Sequence, residues 1–301
     1  MVTDTAMTTA SPATESVRPL HSLTRRMLAN PALVIGMTLI GIVVAMAVFA
    51  QWISPHDPYA QDLTRRLVPP FWHAKGGWAN PLGTDNLGRD YLSRVIYGAR
   101  ISLLIGVSVM IISGLIGTTL GLLAGYFGGK IDMVVNFIIT ARLAMPVVLV
   151  ALAVVAMIGG SLTVVILTLG LLKWDRFAVV MRSATQQVRS LDYVTAAEAA
   201  GASRTRVLLG EILPNVLPHL IVVATVEAGS AILLEAALSF LGLGVQPPLP
   251  SWGLMIAEAK NFMFFSFWLI AIPGCALALL VLGINLAGDG LRDVLAPEGR
   301  G

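Results

Sequence analysis

The chain reads as an all-α membrane protein crossing the bilayer six times. Three observations predict that class. Of 301 residues, 56% are hydrophobic and only 12% charged, with a mean hydropathy of +0.81, whereas a soluble domain carries about 25% charged residues. The apolar residues gather in runs near or above the roughly 20 residues a helix needs to cross the hydrocarbon. Between the runs stand Gly- and Pro-rich turns and charged loops. The net charge of +3 is dispersed, with no basic cluster of the kind that tracks nucleic acid, so no nucleic-acid partner is expected. The single Cys275 excludes an intrachain disulfide and, lying inside an apolar run, is expected to be a small packed hydrophobe.

In chain order, residues 1–29 form a Ser/Thr-rich tail with Pro12 and Pro19, ending in the basic pair Arg25-Arg26 at the membrane edge. Residues 30–298 form one transmembrane domain. Its first span, 31–53, is too long for the core of a signal peptide and is followed by further spans, so it is expected to be retained as a helix. The loop 54–100 is rich in Pro, and Trp52, Phe71, Trp72 and Trp78 suit the headgroup region. Near its end Thr84, Asp85 and Asp90 are possible helix caps. Leu92, Val95, Ile96 and Ala99 then make one apolar face, either of a short surface helix or of the lead-in to the second span at 101–127. The stretch 133–181 is too long for one helix, and Gly159-Gly160-Ser161 divides it into spans 133–158 and 162–181. A polar loop, 182–217, precedes span five at 218–243. Gln246-Pro247-Pro248-Leu249-Pro250-Ser251 marks an ordered turn before span six at 264–287. Pro146 and Pro273 predict bends in spans three and six.

No catalytic arrangement is present. Gly125 to Lys130 is not a phosphate loop, because the spacing is one residue short, Ile131 stands where Ser or Thr is required, and no strand precedes it. ATP hydrolysis is therefore not expected in this chain. His21, His56, His73 and His219 are scattered with no ligand spacing, so no metal site is expected. Gly117, Gly121, Gly125 and Gly129 recur every four residues, a spacing that lets a second helix approach closely, within this subunit or from a partner. Ionisable residues inside apolar runs mark functional positions by default: Arg142, Lys173, Asp175, Arg176, Glu227 and Glu235. Arg142, Lys173 and Arg176 can instead sit near helix ends, pairing locally with Asp175 or reaching the headgroups. Glu235 lies too deep for that, and the small, regular Ala-Ala-Leu-Ser-Phe-Leu-Gly-Leu-Gly after it points to a pathway or an interface.

Within the loop 182–217, Tyr193 to Pro214 reads as a compact hairpin. Asp192 can cap an Ala-rich helix containing Tyr193, Thr195, Ala196, Ala197 and Glu198, and Gly201 can end it in the left-handed conformation. Ala202 follows, and Ser203 can start a second helix through Arg204 and Arg206 to Ile212, Leu213 and Pro214. Such a thin polar hairpin between spans is suited to docking outside the bilayer.

Five groups of segments carry a resemblance: Leu-Gly-Thr-Asp-Asn-Leu-Gly-Arg-Asp (82–90) with Tyr-Gly-Ala-Arg-Ile-Ser-Leu (97–103), Ala-Gly-Tyr-Phe-Gly-Gly (124–129), the hairpin's Tyr-Val-Thr-Ala-Ala, Gly-Ala-Ser and Ile-Leu-Pro-Asn, Leu-Ser-Phe-Leu-Gly-Leu-Gly (238–244) with Gln-Pro-Pro (246–248), and Gly-Asp-Gly-Leu-Arg-Asp (288–293). Together they resemble permease subunits, of the second-permease type, of the dipeptide, oligopeptide and nickel group of ABC importers, over roughly Leu28 to Pro297. Two departures stand out. Thr195 occupies the place where the family's hairpin motif often opens with glutamate, leaving Glu198 as the nearest acid, and Leu-Ala-Pro (295–297) lacks the acidic residue common before that proline.

The resemblance implies a type I ABC importer permease fold and a multi-pass subunit of the bacterial inner membrane forming half of a solute pathway. The implied partners are a homologous second permease, two cytoplasmic ATPases that hold ATP and magnesium, an external solute-binding protein and the surrounding lipid. The chain itself binds no cofactor on this reading, and the hairpin couples it to the ATPases. The hairpin must then face the cytoplasm and the 54–100 loop the outside. The distribution of Lys and Arg favours that orientation only slightly, with ten on the inner side and seven on the outer. Two other classes fit the same spans: an ion-gradient transporter coupled through Glu227, Glu235 and the 173–176 cluster, and a structural subunit without a pathway.

Overall fold

Asn30 and Pro31 set the start of the first long helix in the computed structural model, which describes residues 22–295. The tail reading at Pro12 and Pro19, with Arg18, and the Ala296-Pro297 end, with Arg300, lie outside the described residues. Helix α1 (Ser22–Ala29) carries Arg25 and Arg26, so the last turns of the expected tail are helical. The Asn30 side chain then accepts from Leu33 N at 3.1 Å, and Pro31, which has no N–H to leave unpaired, opens α2 (Pro31–Val48). The helix is interrupted at Phe49 and resumes as α3 (Ala50–Ile53).

The following loop ends at Asp90, whose carboxylate accepts from Ser93 N at 2.8 Å and caps α4 (Tyr91–Phe127). Residues 91–100 are therefore the lead-in of one 37-residue helix, about 55 Å long at 1.5 Å per residue. Gly128 and Gly129, at φ +64° and +52°, turn the chain into α5 (Gly129–Leu143). Pro146 precedes α6 (Val147–Ile158), and the two helices meet at 80°. The bend expected at Pro146 thus divides span 133–158 into two helices, because Pro146 forces Met145 out of the helical region.

Ser161 caps α7 (Leu162–Leu172), its hydroxyl accepting from Val164 N at 3.2 Å. The expected span 162–181 breaks at Lys173-Trp174, and α8 (Asp175–Arg189) follows as an amphipathic helix burying Phe177, Ala178, Met181 and Val188. The cause is competition for two backbone groups. The Arg142 guanidinium donates to Leu172 O, and Asp175 Oδ1 accepts from Arg176 N at 2.9 Å, so the bond that would have continued the helix between those residues is not made.

Helices α9 (Asp192–Ala199) and α10 (Arg204–Arg206) form the hairpin. A widened turn, Val207–Ile212, closed by Leu213 N on Leu208 O, then runs into α11 (Leu213–Phe240). The register returns to α just where Pro214 has no N–H to donate. Residues 204–240 consequently form one helical run, rather than a separate loop helix and a span beginning at 218. Ser251 caps α12 (Trp252–Ala259), accepting from Leu254 N at 3.1 Å, and α13 (Trp268–Leu295) carries Pro273 within it.

Four helical runs, Pro31–Val48, Tyr91–Phe127, Arg204–Phe240 and Trp268–Leu295, are long and apolar enough to cross a membrane, and the bent α5–α6 pair makes up to five. Helix α4 is the hub, with α8, α7, α11 and α2 around it, while α2 lies along α13 and α13 along α11. The glycine ladder explains the closest of these approaches. A Cβ on Gly121 would stand 2.7 Å from Ala178 O, and one on Gly125 2.6 Å from Thr185 Cβ, while one on Gly117 would strike Trp174 and Phe177. Three of the four predicted glycines therefore admit α8 of the same chain, while Gly129 has no neighbour there and serves the turn. On the far side of α4, Gly98 makes room for Trp252, whose indole donates to Val95 O at 2.9 Å.

Candidate functional site: the polar hairpin and the buried charges

The hairpin is closed by backbone geometry. Gly201, at φ +82°, ends α9: its N–H bonds to Glu198 O at 3.0 Å and that of Ala202 to Ala197 O at 3.1 Å, the paired bonds of a Schellman cap. Ser203 Oγ accepts from Arg206 N at 3.3 Å and starts the second arm. Asp192 is the first residue of α9 rather than its cap, which falls on Leu191 with no side-chain bond. Val194, Val207 and Ile212 are buried with Leu122, Tyr126, Met181 and Val188, so the underside of the hairpin is seated on α4 and α8. Ala202 and Leu213 pack against the same cluster. The opposite side presents Tyr193, Thr195, Ala196 and Ala199, all exposed, and exposed Pro214 lies beyond. Glu198, the nearest acid to Thr195 in the sequence reading, is tethered: Tyr126 Oη donates to its Oε1 at 2.8 Å. The Arg189 guanidinium lies over the Tyr126 ring and that of Arg204 over Phe127. Arg206 is exposed.

The intramembrane ionisable residues fall into three groups. Arg142, at the end of α5, donates to Met145 O at 3.2 Å and to Leu172 O, binding the α5–α6 bend to the end of α7; Pro146 stands at that bend. Lys173 and Arg176 do not pair with Asp175, as local pairing would have it. Lys173 Nζ lies 2.7 Å from Glu227 Oε2 and also donates to Ser230 Oγ at 2.8 Å, and Arg176 Nη1 is 3.4 Å from Glu227 Oε1. Glu227 is 1% exposed and the Arg176 side chain 66%. Asp175 is buried against its own helix start. Glu235, with no exposed surface, is a separate site: its Oε1 accepts from Ser239 at 2.7 Å and from Ser251 at 3.0 Å, joining α11 to the cap of α12.

A cavity of about 840 Å³ opens between α8, α11 and α13, with Arg176, Glu227 and Arg292 on its wall. Beyond it, two ion-pair systems escaped the sequence reading. Asp132 on α5 accepts from two guanidinium nitrogens, Nε and Nη2, of Arg182 on α8. At the end of the 54–90 loop, Arg89 Nε donates to Asp85 Oδ2 at 2.6 Å, and Arg94 Nη2 at the start of α4 donates to Glu258 Oε2 at 2.8 Å, closing a largely buried four-charge knot between the loop, α4 and α12. The signal for the knot was the charge-dense 85–94 segment, but its fourth member lies 164 residues from Arg94.

Residues 117–300 match the family described as binding-protein-dependent transport system inner membrane component, and residues 19–70 match the N-terminal TM domain of oligopeptide transport permease C. The chain is 41% identical over 280 residues to the di/tripeptide transport system permease protein DppC of Pseudomonas aeruginosa, covering 93% of this chain and 92% of that protein. It is 42% identical over 269 residues to the dipeptide transport system permease protein DppC of Haemophilus influenzae, with coverages of 89% and 91%. With the probable D,D-dipeptide transport system permease protein DdpC of Escherichia coli it shares 39% identity over 272 residues, with coverages of 90% and 89%. Among solved structures, an inward-facing MetNI methionine ABC transporter contains a chain that superposes with a TM-score of 0.57 at 18% identity, over 67% of this chain and 97% of that one.

Proposed function

Because the chain belongs to the family of binding-protein-dependent transport system inner membrane components, and is a permease subunit of an ABC importer, we propose that it forms half of the pathway for di- and oligopeptides. The three relatives named above are peptide permeases, and one of them is named for D,D-dipeptides. The proposed assembly holds a second, homologous permease, two ATPases carrying ATP and magnesium on the cytoplasmic side, and an external solute-binding protein. In the bacterial inner membrane the chain makes six crossings: α2, the bent α5–α6 pair, the broken α7–α8 pair, α4, α11 and α13. Both termini and the hairpin face the cytoplasm, and the Asp85–Glu258 knot lies outside.

The observation that carries this reading is the two-sided hairpin, whose buried Val194, Val207 and Ile212 hold it on α4 and α8 while its outer face offers the short side chains of Thr195, Ala196 and Ala199 beside one exposed aromatic, Tyr193. A thin face of that kind fits a groove on another protein, and closure of the ATPases on ATP moves it. Tagged complexes carrying Ala196→Trp test the assignment. The bulky ring is expected to leave insertion intact while the ATPase subunits are lost on purification and uptake of a labelled dipeptide falls. ATPase retention and uptake at parental levels would remove the docking role.

A further inference from the structure

The cavity between α8, α11 and α13 has the charge layout of a binding site for one end of a peptide. Its α11 wall is a single helical stripe: Asn215 and His219 near the hairpin, Val222 and Val226 in the middle, Glu227 deepest. At 1.5 Å per residue, Asn215 to Glu227 spans about 18 Å. Glu227 is already neutralised by Lys173 at 2.7 Å, so Arg176, at 3.4 Å and 66% exposed, is a surplus cation directed into the space. Arg292 on α13 has no acidic partner within ion-pair distance among the described residues. Its level follows from the antiparallel packing of α13 on α11, where Gly229 faces Ile284 and Gly288 faces Thr225. Arg292, one turn further, therefore stands toward the hairpin end, near His219. The wall thus holds two cations at different depths, valines between them and one acid whose charge is already met. A guanidinium on this wall is costly to turn toward hydrocarbon, so the cavity opens to water, at the membrane edge or in the pathway.

We propose that this cavity is a low-affinity permease site for the C-terminal carboxylate of a zwitterionic peptide, with Arg176 as its anchor and Arg292 as a second station nearer the hairpin. The inference rests on the peptide reading above. What the relatives' dipeptides and D,D-dipeptides have in common is their termini, not their side chains or chirality. A guanidinium fork reads the carboxylate whatever residue bears it, and the valine wall accepts varied apolar side chains by contact alone.

The test uses the complete transporter in detergent, without its binding protein, and measures saturable binding of radiolabelled Gly-Phe by equilibrium dialysis. Unlabelled Gly-Phe and N-acetyl-Gly-Phe are expected to compete, and Gly-Phe amide to compete at least about tenfold less well, the scale of a lost charge-assisted hydrogen bond. Arg176→Gln should weaken binding by a similar factor and Arg176→Lys should restore part of it, while Lys173 still neutralises Glu227 so that the variants assemble. Arg292→Gln should give a smaller loss. Absence of saturable binding by the parent, equal competition by the amide, or parental binding by Arg176→Gln would each overturn the proposal. Uptake of Gly-Phe by parental proteoliposomes supplied with the binding protein separates the two readings. If uptake is present while Arg176→Gln binds normally, only the cavity site falls; if uptake is absent, the peptide reading falls with it.

Discussion

At the residue scale, the cost of a side chain depends on what its neighbours can give. Gly121 has backbone within 2.7 Å of where a Cβ would stand, whereas at Gly114 the nearest atoms are those of the Phe177 ring at 3.5 Å, an ordinary contact. Gly121→Val is therefore expected to push α8 off α4 and cost roughly 1–3 kcal/mol, while Gly114→Ala is nearly neutral. Thermal unfolding of the two variants in detergent measures the difference, and equal midpoints would contradict the packing account. Glu235 supplies a second contrast. Glu235→Gln keeps an oxygen that accepts from Ser239 and Ser251, whereas Glu235→Leu leaves two buried hydroxyls without that acceptor, at about 1–3 kcal/mol. The leucine variant should lose uptake or assembly and the glutamine variant should not; matching, near-parental behaviour would show the carboxylate dispensable. The position of Glu235 was legible because an acid amid an apolar run is conspicuous. Its partner Ser251 was not, since it arrives from beyond a proline-rich turn, and Glu227 likewise hid a partner 54 residues away in Lys173.

At the element scale, the hairpin was readable because its determinants are local: a glycine that must take positive φ, and a serine that caps three residues ahead. The breaks in the third and fourth spans follow a different logic. Pro146 marked a bend without setting its 80° angle, and the break at Lys173 depends on Arg142, which reaches the Leu172 carbonyl across 30 residues. Periodicity and hydropathy carry no information about such a bond. Gly201→Val tests the local logic. Nothing stands within 4 Å of the new side chain, so the damage must come from the backbone, where a β-branched residue strongly disfavours φ +82°. Insertion is expected to persist, with ATPase docking or the coupling of hydrolysis to uptake lost. Purified Gly201→Val complexes that keep their ATPases and transport at the parental rate would end the coupling role of the hairpin.

For the whole molecule, composition was enough to place the chain in a bilayer but not to count its crossings, because two of the six apolar stretches fold as broken pairs rather than continuous rods. Orientation was weaker still in the charge count, since three of the seven outer-loop cations are arginines at positions 89, 94 and 100, and two of these are consumed by the buried knot with Asp85 and Glu258. Impermeant thiol labelling on a Cys275→Ser background checks the arrangement: Ala202→Cys should react only after the membrane is opened, and Trp78→Cys, at a highly exposed position, in intact cells. Reaction of Ala202→Cys from outside would reverse the topology. The uninterrupted run from Arg204 to Phe240 gives that topology a mechanical meaning. Its 37 residues make a lever roughly 55 Å long, with the proposed docking surface at one end, the Arg176–Glu227 contact partway along and Glu235 near the other. A tilt of about 5° imposed at the hairpin would sweep the far end through on the order of 5 Å, so a small angular stroke outside the membrane becomes a displacement comparable to the width of a peptide backbone at the opposite face.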